Sequence, residues 1–127
     1  MNGYRSVAVV GLSPDPNRPS HKVATYLVQH GYEIIPVNPD AHEILGRQSY
    51  PDLQSLPQLV DIVDIFRRSE EVLPIVDEAI KIGAKAVWMQ EGVINEKAAA
   101  RARDAGLLVV MDKCMFKEHR RLRKEQG

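Results

Sequence analysis

The residues best suited to chemistry in this chain sit just after its apolar runs. The first set is Gly11, Leu12, Ser13, Pro14, Asp15, Pro16, Asn17 and Arg18. Gly11 lets a ligand approach the backbone, Ser13 offers a hydroxyl, and Arg18 offers a planar fork for an anion. The free N–H groups that open the following helix point at the same space. The combination suits a phosphate or pyrophosphate, and it equally makes a proline-stiffened surface turn. The remaining sets are Asn38-Pro39-Asp40, Phe66-Arg67-Arg68, Gln90-Glu91-Gly92 and Asp112-Lys113-Cys114. Arg67 can stack on a base or pair with a phosphate, and Phe66 can pack on a base or on an apolar arm. Gln90 can bond a ligand amide, while Trp88 reads as core.

A nicotinamide site would carry G-x-G-x-x-G and an acidic residue at the end of the second strand, where it accepts the ribose hydroxyls. Here positions 13 and 16 are Ser and Pro, and position 38 is the neutral Asn38. An amide there tolerates an adenine nucleotide phosphorylated on its ribose, although Asp40 stands close by. The chain has no G-x-x-x-x-G-K-[ST] loop and no nucleophile elbow with a His–acid pair. His21, His30, His42 and His119 lack metal-ligand spacing. His30 reads as a half-buried residue on an apolar helix face, and Cys114 as a small hydrophobe rather than a redox or acyl-accepting thiol. No catalytic residue and no metal ligand is assigned.

The elements that position these groups follow from hydrophobic patterning. Ser6–Val10, Glu33–Val37, Val60–Phe66, Leu107–Met111 and the shorter Ala86–Met89 are mostly apolar without alternation, the mark of strands covered on both faces of a parallel sheet. Helical periods lie between them. Ser20–His30 ends at Gly31, and a helix capped by Ser69 carries the stripe Val72, Ile75, Val76, Ala79 and Ile80. Pro74 should make that helix start late or bend. Asn95 opens a third helix, which stops at Gly106. Strand and helix alternate, which predicts a single-domain Rossmann-like α/β fold over residues 1–127. Its open parallel sheet has about five strands, expected in the order 3-2-1-4-5, with helices on both faces. The irregular stretch 38–59 is long enough to be functional.

Composition narrows the function classes. The chain has 127 residues, of which 44% are hydrophobic and 27% charged, with 17 basic and 17 acidic residues. The zero net charge argues against a nucleic-acid or membrane-surface binder. Residues 112–127 hold six basic residues against three acidic ones, which reads as a solvated last helix rather than a nucleic-acid tail. No apolar run approaches the roughly 18 residues of a membrane span. One cysteine makes no intramolecular disulfide, and the N-terminal residues lack the pattern of a signal peptide. A cytoplasmic location is therefore expected.

Together, VAVVGLSPDPNRPSHKVATYLVQHGYEIIPVNP, VDIVDIFRRSEEV, AVWMQEGV and MDKCMFKEHRRL resemble the small stand-alone CoA-binding proteins, from about Val7 to Leu122. Their fold is similar to the CoA-binding N-terminal domain of the succinyl-CoA ligase alpha subunit. The resemblance implies coenzyme A or an acyl-CoA as ligand. It implies that the backbone of Gly11, Leu12, Ser13, Pro14, Asp15 and Pro16 cradles the phosphates, with Arg18 near them. Asn38 and Pro39 would flank the adenosine, Phe66 and Arg67 would line adenine or ribose, and Val72 would touch the nucleotide. Gln90 and Gly92 would face the pantetheine arm. Ligases of the larger family carry a phosphohistidine segment and an ATP-grasp partner, neither of which is found in these residues. The expectation is therefore a carrier, sensor or regulatory module without its own turnover. The alternative is a small enzyme on the same fold, a nicotinamide-dependent oxidoreductase or an acyl-transfer enzyme using Cys114. A homodimer or a protein partner is left open.

Overall fold

Each apolar run becomes a strand of one parallel sheet. The computed structural model describes residues 4–126, so Met1–Gly3 and Gly127 of the expected domain lie outside the described residues. The chain runs β1 (Ser6–Val10), α1 (Pro19–Gln29), β2 (Glu33–Val37), a small antiparallel ribbon of β3 (Glu43–Ile44) and β4 (Arg47–Gln48), β5 (Ile62–Ile65), α2 (Val72–Lys81), β6 (Ala86–Met89), α3 (Glu96–Asp104), β7 (Leu108–Val110) and α4 (Met115–Gln126). Every residue of β1, β5 and β6 is buried, which explains their lack of alternation. Ala8, Val10, Val63, Ile65, Val87 and Met89 point to one face, where Val72, Val76, Ala98 and Ala102 of α2 and α3 cover them. Val7, Val9, Ile62 and Trp88 point to the other, under Val23, Leu27 and Met115 of α1 and α4.

The sheet order is β2-β1-β5-β6-β7. Counting only its own five strands, this is 2-1-3-4-5 and not the expected 3-2-1-4-5. Pro36 supplies the physical reason. Proline has no N–H for a second ladder, so β2 belongs at an edge. On its outer side, among the described residues, only Tyr50 bridges it, donating from its backbone N to Pro36 O at 3.1 Å, while Asn38 N donates to Tyr50 O at 2.8 Å. The fully buried β5 takes the interior place beside β1.

The second helix starts late, as Pro74 requires. Ser69–Glu71 form a turn of 3-10 helix and α2 begins at Val72, which puts Pro74 in the first turn where no N–H donor is missed. Ser69 does not cap it. Its hydroxyl instead accepts from Ile94 N at 3.0 Å, and its carbonyl accepts from Asn95 Nδ2 at 2.9 Å. Asn95 caps α3 as expected, accepting from Ala98 N at 3.0 Å. Along α4, Met115 is fully buried, Tyr26 OH meets His119 Nδ1 at 2.7 Å, and Phe116 packs on Tyr26 with ring centres 4.3 Å apart. The last helix therefore docks on α1 by one face. Among the described residues, no helix is long and apolar enough to cross a membrane.

Candidate functional site

Parallel strands bring their C-terminal ends to one edge, and the loops that follow build the site there. Gly11 ends β1 with φ +87°, and a Cβ on it would lie 2.3 Å from the Phe66 carbonyl oxygen. Glycine is required here by the close packing of β1 on β5, so the loop leaves the sheet hard against Phe66 and Arg67. Ser13 Oγ then accepts from Asp15 N at 3.0 Å, Asp15 Oδ1 accepts from Asn17 N at 2.9 Å, and Ser13 N donates to Ser20 Oγ at 3.0 Å. These bonds fix the loop's shape, and they spend the hydroxyl on the loop itself. No side chain caps α1; Pro19 has no N–H, and His21 N and Lys22 N both donate to Arg18 O, so Ser20 N is the opening group left for an anion.

Asn38 ties this loop to the next. Its Nδ2 donates to Leu12 O at 2.9 Å and its Oδ1 accepts from Asp40 N at 2.8 Å. Both ends of its amide are therefore committed to the backbone. Gly92 N donates to Asp112 Oδ1 at 2.7 Å, and Trp88 Nε1 donates to Lys113 O at 2.6 Å. Those two bonds hold the loop that carries Cys114.

Two clefts flank the Arg67 side chain. One, of about 410 Å³, is lined by Val37, Pro39, Leu53, Ile75 and the carboxyl-bearing Asp52 and Glu78. The other, of about 480 Å³, is lined by Gly11, Arg18, Phe66, Arg68, Gln90 and Cys114, and Arg67 lines both. Of the residues singled out in the sequence, Gly11, Arg18, Pro39, Phe66, Arg67 and Gln90 are brought together around this pair. Ser13, Pro14, Asp15, Pro16, Asn38 and Gly92 line neither cleft. The side chains of Leu12 and Val72 are fully buried in the core.

Groups outside the sequence motifs complete the walls. Pro51, Asp52 and Leu53 arrive from the irregular stretch after β4, and Glu78 arrives from α2 with its Oε1 buried and unpartnered. A further residue not singled out from the sequence is Asp64, fully buried on β5. Burial pushes its carboxyl up to about 8, against a bond from Gln90 that pulls the other way. A carboxyl inside an otherwise apolar strand was a signal available in VDIVDIF, because Asp is almost never fully buried without a reason. Among the described residues no cluster of His, Cys, Asp and Glu could hold a metal ion.

The arrangement suits an elongated ligand. Arg18, Arg67 and Arg68 supply guanidinium groups for phosphate. The first cleft offers flat proline and aliphatic walls with carboxylates that accept from hydroxyl or amino groups, and the second offers Phe66, Val93 and the Gln90 amide to a longer, partly apolar segment.

Comparison with known proteins agrees with this architecture. The CoA binding domain family matches residues 5–120. An uncharacterized protein of Bacillus subtilis, YneT, is 40% identical over 115 residues, covering 91% of this chain and 85% of its own. The ADP-forming acetate–CoA ligase II of Archaeoglobus fulgidus is 34% identical over 95 residues, 72% of this chain but only 14% of the ligase. The solved structure of a hypothetical protein from Pyrococcus horikoshii superposes with a TM-score of 0.92 at 42% identity, covering 94% of this chain and 84% of that one.

Proposed function

The chain belongs to the CoA binding domain family, and on that premise we propose that it binds coenzyme A or an acyl-CoA as a carrier, sensor or regulatory module without turnover of its own. The observation that carries this reading is the pair of clefts on either side of Arg67 at the C-terminal edge of the sheet. In it, the adenosine lies in the first cleft against Pro39 and Leu53, where the carboxyl groups of Asp52 and Glu78 accept from ribose and amino donors. The phosphates cross at Arg67, within reach of Arg18 and of the backbone N–H groups of Leu12 and Ser20, which bond no described residue. The pantetheine arm continues into the second cleft past Phe66 and Gln90 towards Cys114. Asn38 contributes by holding the phosphate loop in shape through Leu12 O, and Gly92 by holding the wall beyond Gln90. Val72 contributes as core beneath the site. A cytoplasmic setting, the absence of nucleic-acid and membrane partners, and a single domain over residues 1–127 belong to the same reading.

Calorimetric titration with CoA, dephospho-CoA and NAD tests it. CoA is expected to bind most tightly, dephospho-CoA more weakly and NAD not at all. Binding of NAD alone would overturn the assignment. Intact mass after incubation with an acyl-CoA tests the absence of turnover. The expected result is an unmodified chain, and an acyl adduct on Cys114 would make the protein an acyl-transfer enzyme.

A further inference from the structure

Asp64 lies one hydrogen bond behind the wall of the second cleft and is left unused by the reading above. In register it stands between Val9 and Trp88, on the face shared with Val7, Ile62 and Ala86. Its Oδ1 accepts from Gln90 Nε2 at 2.7 Å, and its Oδ2 has no partner. The unpartnered, buried Oδ2 costs the fold stability at this position. Such a cost is characteristic of a residue kept for a site.

Gln90 shows what that residue does. It is 3% exposed and lines the second cleft. Its amide nitrogen is held by Asp64. Its Oε1 has no bond to any described residue and is not among the buried unpartnered atoms, so it is open to the cleft. We propose that Asp64 is a positioning residue that fixes the Gln90 amide with Oε1 presented to the second cleft, where it selects ligands bearing an N–H donor of the secondary-amide class. The inference rests on the CoA reading, in which the pantetheine arm supplies such amides at this depth. Burial keeps the Asp64 carboxyl neutral at neutral pH. With Oδ1 accepting from Gln90 Nε2, the other end of the amide, Oε1, is turned away from Asp64.

The test compares wild type, Asp64→Leu and Asp64→Asn by calorimetric titration with CoA and with adenosine 3′,5′-bisphosphate, which lacks the arm. Asp64→Leu is expected to weaken CoA about tenfold, the value of one net hydrogen bond, and to leave the bisphosphate unchanged. Asp64→Asn still offers a carbonyl to Gln90 and should restore CoA binding to within about twofold of wild type. If Asp64→Leu does not fold, Gln90→Leu takes its place with the same selective loss expected. Equal weakening of both ligands, no weakening of CoA, or an Asn variant as weak as the Leu variant would overturn the inference. A wild type that binds neither ligand would overturn the CoA reading instead.

Discussion

Replacing Asp64 by Asn removes one titrating group while keeping the side chain's shape and an acceptor for Gln90, so the change isolates the effect of a buried proton. In the unfolded chain the carboxyl ionises near its ordinary 3.8, whereas burial in the fold holds it neutral up to about 8. Between those values the folded state keeps a proton that the unfolded state has released. Wild-type stability must therefore fall as pH rises through this window, by up to about 1.4 kcal/mol per pH unit. From pH 5 to pH 7 the loss comes to about 2–3 kcal/mol, and it levels off above pH 8. The Asn variant has no such loss. Urea denaturation of both proteins at pH 5, 6, 7 and 8 gives the difference in unfolding free energy, in which the other carboxylates and histidines cancel. That difference should widen in favour of the variant by about 2–3 kcal/mol between pH 5 and pH 7. A difference that stays flat across the series refutes the buried, neutral carboxyl.

Other parts of the structure make independent predictions. Gly11→Ala places a methyl 2.3 Å from the Phe66 carbonyl at φ +87° and should cost about 2–4 kcal/mol in urea denaturation, so a loss under about 1 kcal/mol would contradict the close packing of β1 on β5. Arg67→Ala should weaken CoA by about tenfold or more without a measurable change in urea midpoint, because the Arg67–Glu71 pair at 3.2 Å is exposed; an unchanged dissociation constant removes Arg67 from the site. Burial, followed by the charges of His30 and Arg123, holds His119 below its ordinary 6.5, so its neutral form belongs to the folded state and stability is lost as pH falls through that region. Wild type should accordingly lose more stability than His119→Gln between pH 7 and pH 5, and equal losses would show that the contact with Tyr26 does not depend on protonation.

Strands β1, β2, β5 and β6 were legible because burial on both faces leaves a run of apolar residues, whereas β7, an edge strand with Leu108 exposed, shows the same apolar run without that burial. The helix starts at Asn95 and around Pro74 were legible because capping and the missing proline N–H are local effects. The strand order was misread although its signal was present: Pro36 excludes β2 from the sheet interior, and its meaning appears only when each strand is asked which side lacks a ladder partner. At the site, residues that touch the clefts next to strand ends, such as Phe66, Arg67 and Gln90, could be found from position alone. Asp52, Leu53 and Glu78 could not, because the path of the 38–59 stretch and the rotation of α2 are set by tertiary packing. Asn38 and Ser13 are harder to assign from sequence, because amides and hydroxyls serve ligands and turns equally well. In this chain their visible bonds go to the backbone.

In the proposed complex one CoA molecule lies along the C-terminal edge across both clefts. Titrating CoA into the ¹⁵N-labelled protein and following the backbone amides by NMR tests it most directly. Shifts are expected at the non-proline residues of 11–18, 38–40, 66–68 and 90–92, with those at 90–92 lost when adenosine 3′,5′-bisphosphate replaces CoA. Shifts centred instead on the basic face of α4 at Arg120, Arg123 and Lys124, or a spectrum unchanged at saturating CoA, would contradict it.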